Sequence, residues 1–165
     1  MTKVFEESLS LFKDKISDCI KSNKSISITT HNDCDGLTSG SIITKALIRE
    51  GAKCTIRTSK EFSKNVVQSF KTDSRDFHII TDLGGGFGNE LNQTIGDNWM
   101  ILDHHQISDE EKENENIINS WKYGIDGGSD ICAGGMAYFA AMALNEKNSD
   151  LSEIAVVSAL GDRQD

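Results

Sequence analysis

The sequence predicts an α/β domain, a parallel sheet of about five strands with helices on both faces. Segments of strand character alternate with segments of helical period along the chain, the order that builds strand–helix–strand crossovers. Two strand segments, 77–81 (FHIIT) and 99–102 (WMIL), are near-continuous apolar runs, as strands covered on both faces require. A length of 165 residues with 37% hydrophobic content suits one domain with a substantial core.

Val4, Phe5, Leu9, Phe12, Ile16, Cys19 and Ile20 recur at helical spacing and predict an amphipathic helix over residues 3–21. Residues 26–30 (ISITT) are rich in β-branched side chains and read as the first strand. Residues 37–49 read as a helix that Gly51 ends. Residues 53–58 suit a second strand, and 66–70 part of a short helix. The third and fourth strands are 77–81 and 99–102, with Phe77 and Trp99 expected in the core rather than as base-stacking platforms. Residues 116–119 suit a fifth, edge strand. Helices over 133–146 and 151–160 complete a Rossmann-like order. The charged run 109–115 (DEEKENE) is expected to be a solvated turn or short helix.

The chain carries 17 Lys and Arg against 26 Asp and Glu, a net charge of −9, and its mean hydropathy is −0.38. That balance argues against a generic polyanion binder working through a basic surface. Proline is absent where average usage gives about eight, which excludes polyproline segments and cis-proline turns. No apolar run nears the ~18 residues of a membrane span, and residues 1–15 lack a signal-peptide core. Cys19, Cys34, Cys54 and Cys132 form no C-x-x-C pair, so neither a zinc finger nor a disulfide framework is expected. The expected location is the cytoplasm, with reduced thiols and no membrane partner.

The informative residues follow the strands. Ligands of open parallel sheets bind beyond the carboxyl ends of the strands. The first strand leads into His31-Asn32-Asp33-Cys34-Asp35-Gly36, the third into Asp82-Leu83-Gly84, and the fourth into Asp103-His104-His105. The last helix delivers Gly161-Asp162. Any one of these aspartates alone is most simply a cap or turn former, and His31 alone most simply structural. Acid or histidine at three strand exits is a pattern instead. Carboxylates so placed raise one another's pKa values unless something cationic sits among them. No excess of Lys or Arg accompanies the motifs, so divalent metal is the economical neutraliser, and two ions suit so acidic a site. Carboxylate and imidazole without thiolate fit Mn2+ best, with Mg2+, Co2+ or Zn2+ as alternatives. Cys34 is read as a small filler facing away from the metals. Two such ions serve phosphoryl chemistry by binding the attacking and leaving oxygens, and would bring the net charge to about −5.

The four motifs, His31-x-Asp33-x-Asp35-Gly36, Asp82-Leu83-Gly84, Asp103-His104-His105 and Gly161-Asp162, resemble in type and order those of the DHH phosphoesterases, a superfamily named for the triplet at 103–105. The resemblance runs from Ile26 to Asp165, and HNDCDG with the ending SALGDRQD looks most like the archaeal RecJ-like nucleases. It implies that His31, Asp33 and Asp82 hold one Mn2+, and that Asp35, Asp82, His104 and Asp162 hold the other, with Asp82 as the bridge. It implies that Asp103 orients an imidazole and that His105 faces the scissile phosphate and stabilises charge there. It also implies in-line attack on phosphorus without a covalent enzyme intermediate.

The expected function is Mn2+-dependent hydrolysis of single-stranded DNA or RNA from an end, a RecJ-like exonuclease activity of the kind used in DNA repair. The alternatives are an NrnA-like hydrolase of short oligonucleotides or cyclic dinucleotides, a pyrophosphatase, and a scaffold bound to replication proteins. Intact motifs favour the enzyme over the scaffold. Superfamily members normally add a C-terminal substrate-gripping domain, so residues 1–165 are expected to be the catalytic domain alone, a fragment with weak activity and poor nucleic-acid affinity. Asp162 is expected to be its most mobile metal ligand. Gly84-Gly85-Gly86-Phe87-Gly88 is expected to be a flexible loop beside the site. Gly127-Gly128-Ser129 suits either amides offered to a phosphate or a loop with an N-cap at Ser129 or Asp130.

Overall fold

The computed structural model describes residues 3–164. Strands β1 (Ser25–His31), β2 (Lys53–Ser59), β3 (Phe77–Thr81), β4 (Trp99–Asp103) and β5 (Ile117–Asn119) form one all-parallel sheet in the order β2-β1-β3-β4-β5. The helices are α1 (Lys3–Lys21), α2 (Cys34–Arg49), α3 (Lys64–Ser69), α4 (Gly88–Ile95), α5 (Asp109–Lys112), α6 (Ala133–Leu144) and α7 (Ser152–Gly161).

Alternation along the strands divides the core in two. Ile26, Ile28, Phe77, Ile79, Met100, Leu102 and Ile118 pack with α1, α2 and α6 on one face. Ile80, Trp99, Ile101 and Ile117 pack with Val67, Phe70 and Leu91, around α3 and α4, on the other. Both faces of the central strands are thus covered, and Phe77 and Trp99 are core residues. α7 packs on α2 and α6, outside the sheet. β2 is the open edge and its residues are mostly exposed. Among the described residues, no helix is long and apolar enough to cross a membrane.

The chain runs outward from β1 to β2 and returns across β1 to β3. The order therefore reverses between β1 and β3, and a crevice opens there beyond their carboxyl ends. The first two motifs sit on either side of it.

Several boundaries differ from the sequence reading. α2 begins at Cys34, three residues before Leu37, because Asp33 caps it: its carboxylate accepts the Gly36 N–H at 2.9 Å. Gly36 has no room for a side chain, since a Cβ would lie 2.4 Å from the His31 carbonyl oxygen. The glycine loop at 84–88 is not free. Gly84 and Gly85 are buried, the Gly85 N–H donates to Asp103 Oδ2 at 3.1 Å, and Gly88 opens α4, a helix the sequence reading did not assign. The run 109–115 is only partly solvated: Glu111 is 6% exposed, and its carboxylate accepts the Gly88 N–H at 3.0 Å. Its pKa is raised by burial. Neither Ser129 nor Asp130 caps α6. The cap position is Cys132, whose side chain makes no capping bond.

β1 and β3 bury a polar pair. Ser27 and His78 are register partners, joined Oγ to Nδ1 at 2.7 Å, with the Phe70 ring 4.5 Å from the imidazole. Burial holds the His78 pKa below the ordinary 6.5. A depressed pKa favours the neutral form in the folded state, so the stability it brings is present above pH 6.5 and is lost as pH falls through the folded value. His78→Gln is expected to flatten the melting temperature's dependence on pH below 6.5, as thermal melts across that range would read.

Candidate metal centre

All four motifs meet at the crevice. β1 ends at His31, whose Nδ1 lies 2.7 Å from Asp33 Oδ2 and 3.6 Å from Asp82 Oδ2. The other ring nitrogen, Nε2, donates to the Lys60 carbonyl at 3.2 Å. That bond sets the tautomer and leaves the Nδ1 lone pair facing the two carboxylates. Asp33, Asp82 and His31 form one group able to hold an ion.

His104 is oriented in the opposite sense. Its Nδ1–H donates to the Gly127 carbonyl at 2.6 Å, and its Nε2 lies 3.3 Å from Asp82 Oδ1 and 3.4 Å from Asp35 Oδ2. Asp35, His104 and Asp162 form a second group, and Asp82, His104 and His105 a third. Asp82 thus stands in two of the groups and touches the second through His104. Every residue expected to hold metal is brought here. Cys34 is not: it packs against Gly161, with its Sγ 3.9 Å from the Val157 carbonyl.

Asp35 has a second task. It is 3% exposed, and it accepts the Ala133 and Gly134 N–H groups, both at 2.8 Å, and the Ser158 hydroxyl. Its carboxylate therefore caps α6, and Oδ2, which accepts the Ala133 N–H, keeps a second lone pair toward His104 Nε2 at 3.4 Å. Asp103 is buried and belongs to none of the three ligand groups, but it hydrogen-bonds two of their members. Its Oδ1 accepts the His104 N–H at 2.8 Å, the His105 N–H at 3.2 Å and His105 Nδ1–H at 2.8 Å, while Oδ2 holds Gly85. Burial opposes its charge, but the His105 hydrogen bonds prevail and keep its pKa below the usual range. The imidazole that Asp103 orients is therefore that of His105.

The electrostatics call for cations. Five carboxylates (Asp33, Asp35, Asp82, Asp103 and Asp162) converge with three imidazoles, and among the described residues their ion-pair partners are histidines alone. Burial, reinforced by Asp35, Asp103 and Asp33, pushes the Asp82 pKa up to about 6. Burial disfavours the His104 imidazolium, yet its bonds to Asp82 and Gly127 raise it to about 9. Among the described residues, Asp82 Oδ2 is buried and finds no hydrogen-bond partner. A buried carboxylate oxygen left bare costs about 1–3 kcal/mol or more, and a divalent cation among hard oxygen and imidazole donors removes that cost. The donor set fits such an ion. Asp82 is also held at φ +62°, which Asp tolerates and most residues do not.

Two clefts flank His105. One, of about 320 Å3, is lined by His31, Lys60, Phe62, Gly84–Gly86 and Phe87. The other, of about 390 Å3, is lined by His104, Trp121, Gly127, Gly128 and Asp162. Asp103 turns the His105 Nδ1 inward, so Nε2 is the ring atom left for a ligand.

The sequence reading missed the groups that hold the ligands in place: the Lys60 and Gly127 carbonyls, the Ala133 and Gly134 amides, Ser158, and Gln164, which donates to both Gly127 O (2.9 Å) and Asp162 Oδ2 (2.8 Å). Most are main-chain groups, which residue type does not disclose.

Comparison with known proteins places this geometry. An uncharacterized protein of Methanocaldococcus jannaschii is 33% identical over 147 residues, covering 84% of this chain and 33% of its own length. The chain thus spans about a third of that relative. The crystal structure of exonuclease RecJ bound to manganese superposes with a TM-score of 0.77 at 18% identity, covering 98% of this chain and 44% of that one. CDC45 from Entamoeba histolytica superposes with a TM-score of 0.59 at 15% identity, covering 95% and 32%. The family model for the DHH family, N-terminal domain, matches residues 25–161, the span that holds the first three motifs whole and ends at Gly161 of the fourth, and the chain belongs to the DHH family.

Proposed function

We propose that this domain is a metal-dependent phosphodiesterase that hydrolyses single-stranded nucleic acid in the cytoplasm, working with two divalent cations, Mn2+ foremost. The observation that carries the reading is Asp82 Oδ2, buried and unpartnered where two ligand groups meet. His31, Asp33 and Asp82 would hold one cation, and Asp35, Asp82, His104 and Asp162 the other. Bound there, the cations supply phosphoryl charge neutralisation and a nucleophile at neutral pH. The chain's own residues do the rest. Lys60 and Gly127 carbonyls fix the tautomers of His31 and His104. Asp103 locks the His105 ring, whose Nε2 donates to a phosphoryl oxygen and stabilises the charge that grows on it. The buried walls formed by Leu83, Gly84 and Gly85 limit water beside that oxygen.

The test is hydrolysis of a 20-nucleotide single strand, a dinucleotide and a duplex, each with Mn2+, Mg2+ or chelator. The expected result is turnover only with divalent metal, highest with Mn2+ and with the long single strand. Preference for the dinucleotide would instead favour an NrnA-like role. The CDC45 likeness favours a scaffold of replication proteins as the second reading. No turnover of any substrate, together with no Mn2+-induced rise in melting temperature, would sink the hydrolase and leave the scaffold.

A further inference from the structure

The net charge of −9 conceals a segregation of charge. Residues 53–75 hold Lys53, Arg57, Lys60, Lys64, Lys71 and Arg75, six of the 17 basic residues, but only Glu61 and Asp73 of the 26 acidic ones. Lys53 and Arg57 lie on β2, the open edge of the sheet, and Lys60 just past its end, whereas Lys64, on α3, pairs with Glu90 at 3.8 Å. Cys54 and Ile56 turn toward the α2 face, where Cys54 packs on the core and Ile56 meets Gly40, so Lys53, Thr55 and Arg57 turn the other way. Arg75 joins them: its Nε–H donates to Thr55 Oγ1 at 3.3 Å, beside Lys53. Arg57 is held ready, its guanidinium 4.9 Å above the Phe70 ring and its Nε–H on Thr29 Oγ1 at 3.0 Å. Asp73 reaches Arg57 and Arg75 only at 3.9 and 4.0 Å. Lys53, Lys60 and Lys71 have no carboxylate partner among the described residues.

This row leads to the metal centre. β2 is parallel to β1, so it ends level with His31, and seven residues at ~3.3 Å each carry the row about 20 Å. At its end Lys60 lines the smaller cleft and its carbonyl holds His31. Phe62 and Phe87, with ring centroids 5.3 Å apart, stand half-buried in the same cleft. Cations that follow a phosphate backbone, ending at aromatic faces on which a base can stack, form a single-strand site. Among the described residues no strand pairs this edge, and most of its residues are exposed, so it is open to a ligand along its length.

We propose that the β2 edge, from Lys53 and Arg75 through Arg57 to Lys60, is the track along which a single-stranded nucleic acid backbone enters the cleft, with its terminal base against Phe62 and Phe87. The proposal rests on the hydrolase reading for what happens at the end of the track, though binding along it does not. The test is Lys53→Gln with Arg75→Gln, an exposed and a half-buried side chain away from the metal ligands. Anisotropy of a labelled 20-nucleotide single strand is measured in chelator over a range of salt. Each phosphate contact contributes about −0.7 to the slope of log affinity against log salt, so losing two should flatten the slope by about 1.4. With Mn2+, KM for the 20-mer is expected to rise on the order of tenfold at low salt, with turnover of bis(p-nitrophenyl) phosphate unchanged. Lys53→Glu with Arg75→Glu should enlarge both effects, and melting temperatures confirm that each variant folds.

An unchanged slope, or wild-type protein that does not bind the 20-mer, would overturn the track. Poly-glutamate binding with the same slope would overturn it in favour of an acidic protein partner. A slope that flattens in protein hydrolysing no phosphodiester would keep the track and reject the hydrolase, so the two ideas fail separately.

Discussion

Asp82→Asn is expected to lower metal-dependent hydrolysis on the order of 10³-fold or more, about 4 kcal/mol of barrier, while raising the melting temperature of the metal-free protein. The two effects have one cause. Asp82 is 2% exposed, lies among Asp33, Asp35 and Asp103, and leaves one oxygen unpartnered. Removing its charge relieves burial and repulsion, which is why its pKa stands at about 6. Removing it also takes away the carboxylate common to both proposed cation sites. Asn is the informative replacement because Asp82 sits at φ +62°, where Asn is tolerated and Ala adds about 1–2 kcal/mol of backbone strain. Each kcal/mol of relief should raise the melting temperature by roughly 2–4 °C in a chain of this size, and millimolar Mn2+ should no longer raise it further. Full hydrolysis by Asp82→Asn protein would refute the assignment of the centre.

Gly127→Ala is expected to destabilise the fold and weaken metal binding together. A Cβ at Gly127 would lie 1.8 Å from the His104 carbonyl oxygen and 2.8 Å from Ser120 Oγ. The first of these is main chain and cannot rotate away, so the loop itself must move. It carries the carbonyl that holds His104 Nδ1–H and the Gln164 amide. The His104 carbonyl in turn accepts the Trp121 Nε1–H at 2.8 Å, so the displacement spreads to both sides of the cleft. Overpacking of this kind costs about 1–3 kcal/mol. Loss of the group that orients a metal-binding histidine typically weakens affinity about 10–100-fold. Gly128→Ala is the control, because its Cβ would meet only the Asp126 carboxylate, at 3.2 Å, at an exposed position. Mn2+ titration of both variants, followed by thermal melts, reads the difference. Equal Mn2+ affinity in Gly127→Ala and Gly128→Ala protein would show that the Gly127 carbonyl does not position His104.

Much of the architecture was legible because burial writes a period into the chain. The alternation of Phe77 with His78 and of Trp99 with Met100 records which face each side chain takes, and α1 announces itself by its amphipathic spacing. α4 did not, since its eight residues bury only Gly88 and Leu91. The run 109–115 holds the short helix α5 as expected, and only Glu111 departs from the solvated reading: a carboxylate is costly to bury, but this one accepts the Gly88 amide at the start of α4, a partner 23 positions away. The net charge is a sum, and a sum does not record where six basic residues cluster.

The sequence alone determined which side chains converge. In a parallel sheet every strand delivers its next residues to the same edge, so acids and histidines placed after β1, β3 and β4 had to share that edge whatever the order of the strands. The strand order was another matter. Only the tertiary structure puts β3 beside β1, opens the crevice between them, and brings His31 to 3.6 Å from Asp82. It alone assigns Nδ1 of His31 and Nε2 of His104 to the centre, and gives Asp35 its place at the head of α6. Those choices are made by main-chain carbonyls and amides from Lys60, Gly127, Ala133 and Gly134. Every residue but proline carries the same main-chain groups, so their roles are set by position in space and leave no mark on residue type.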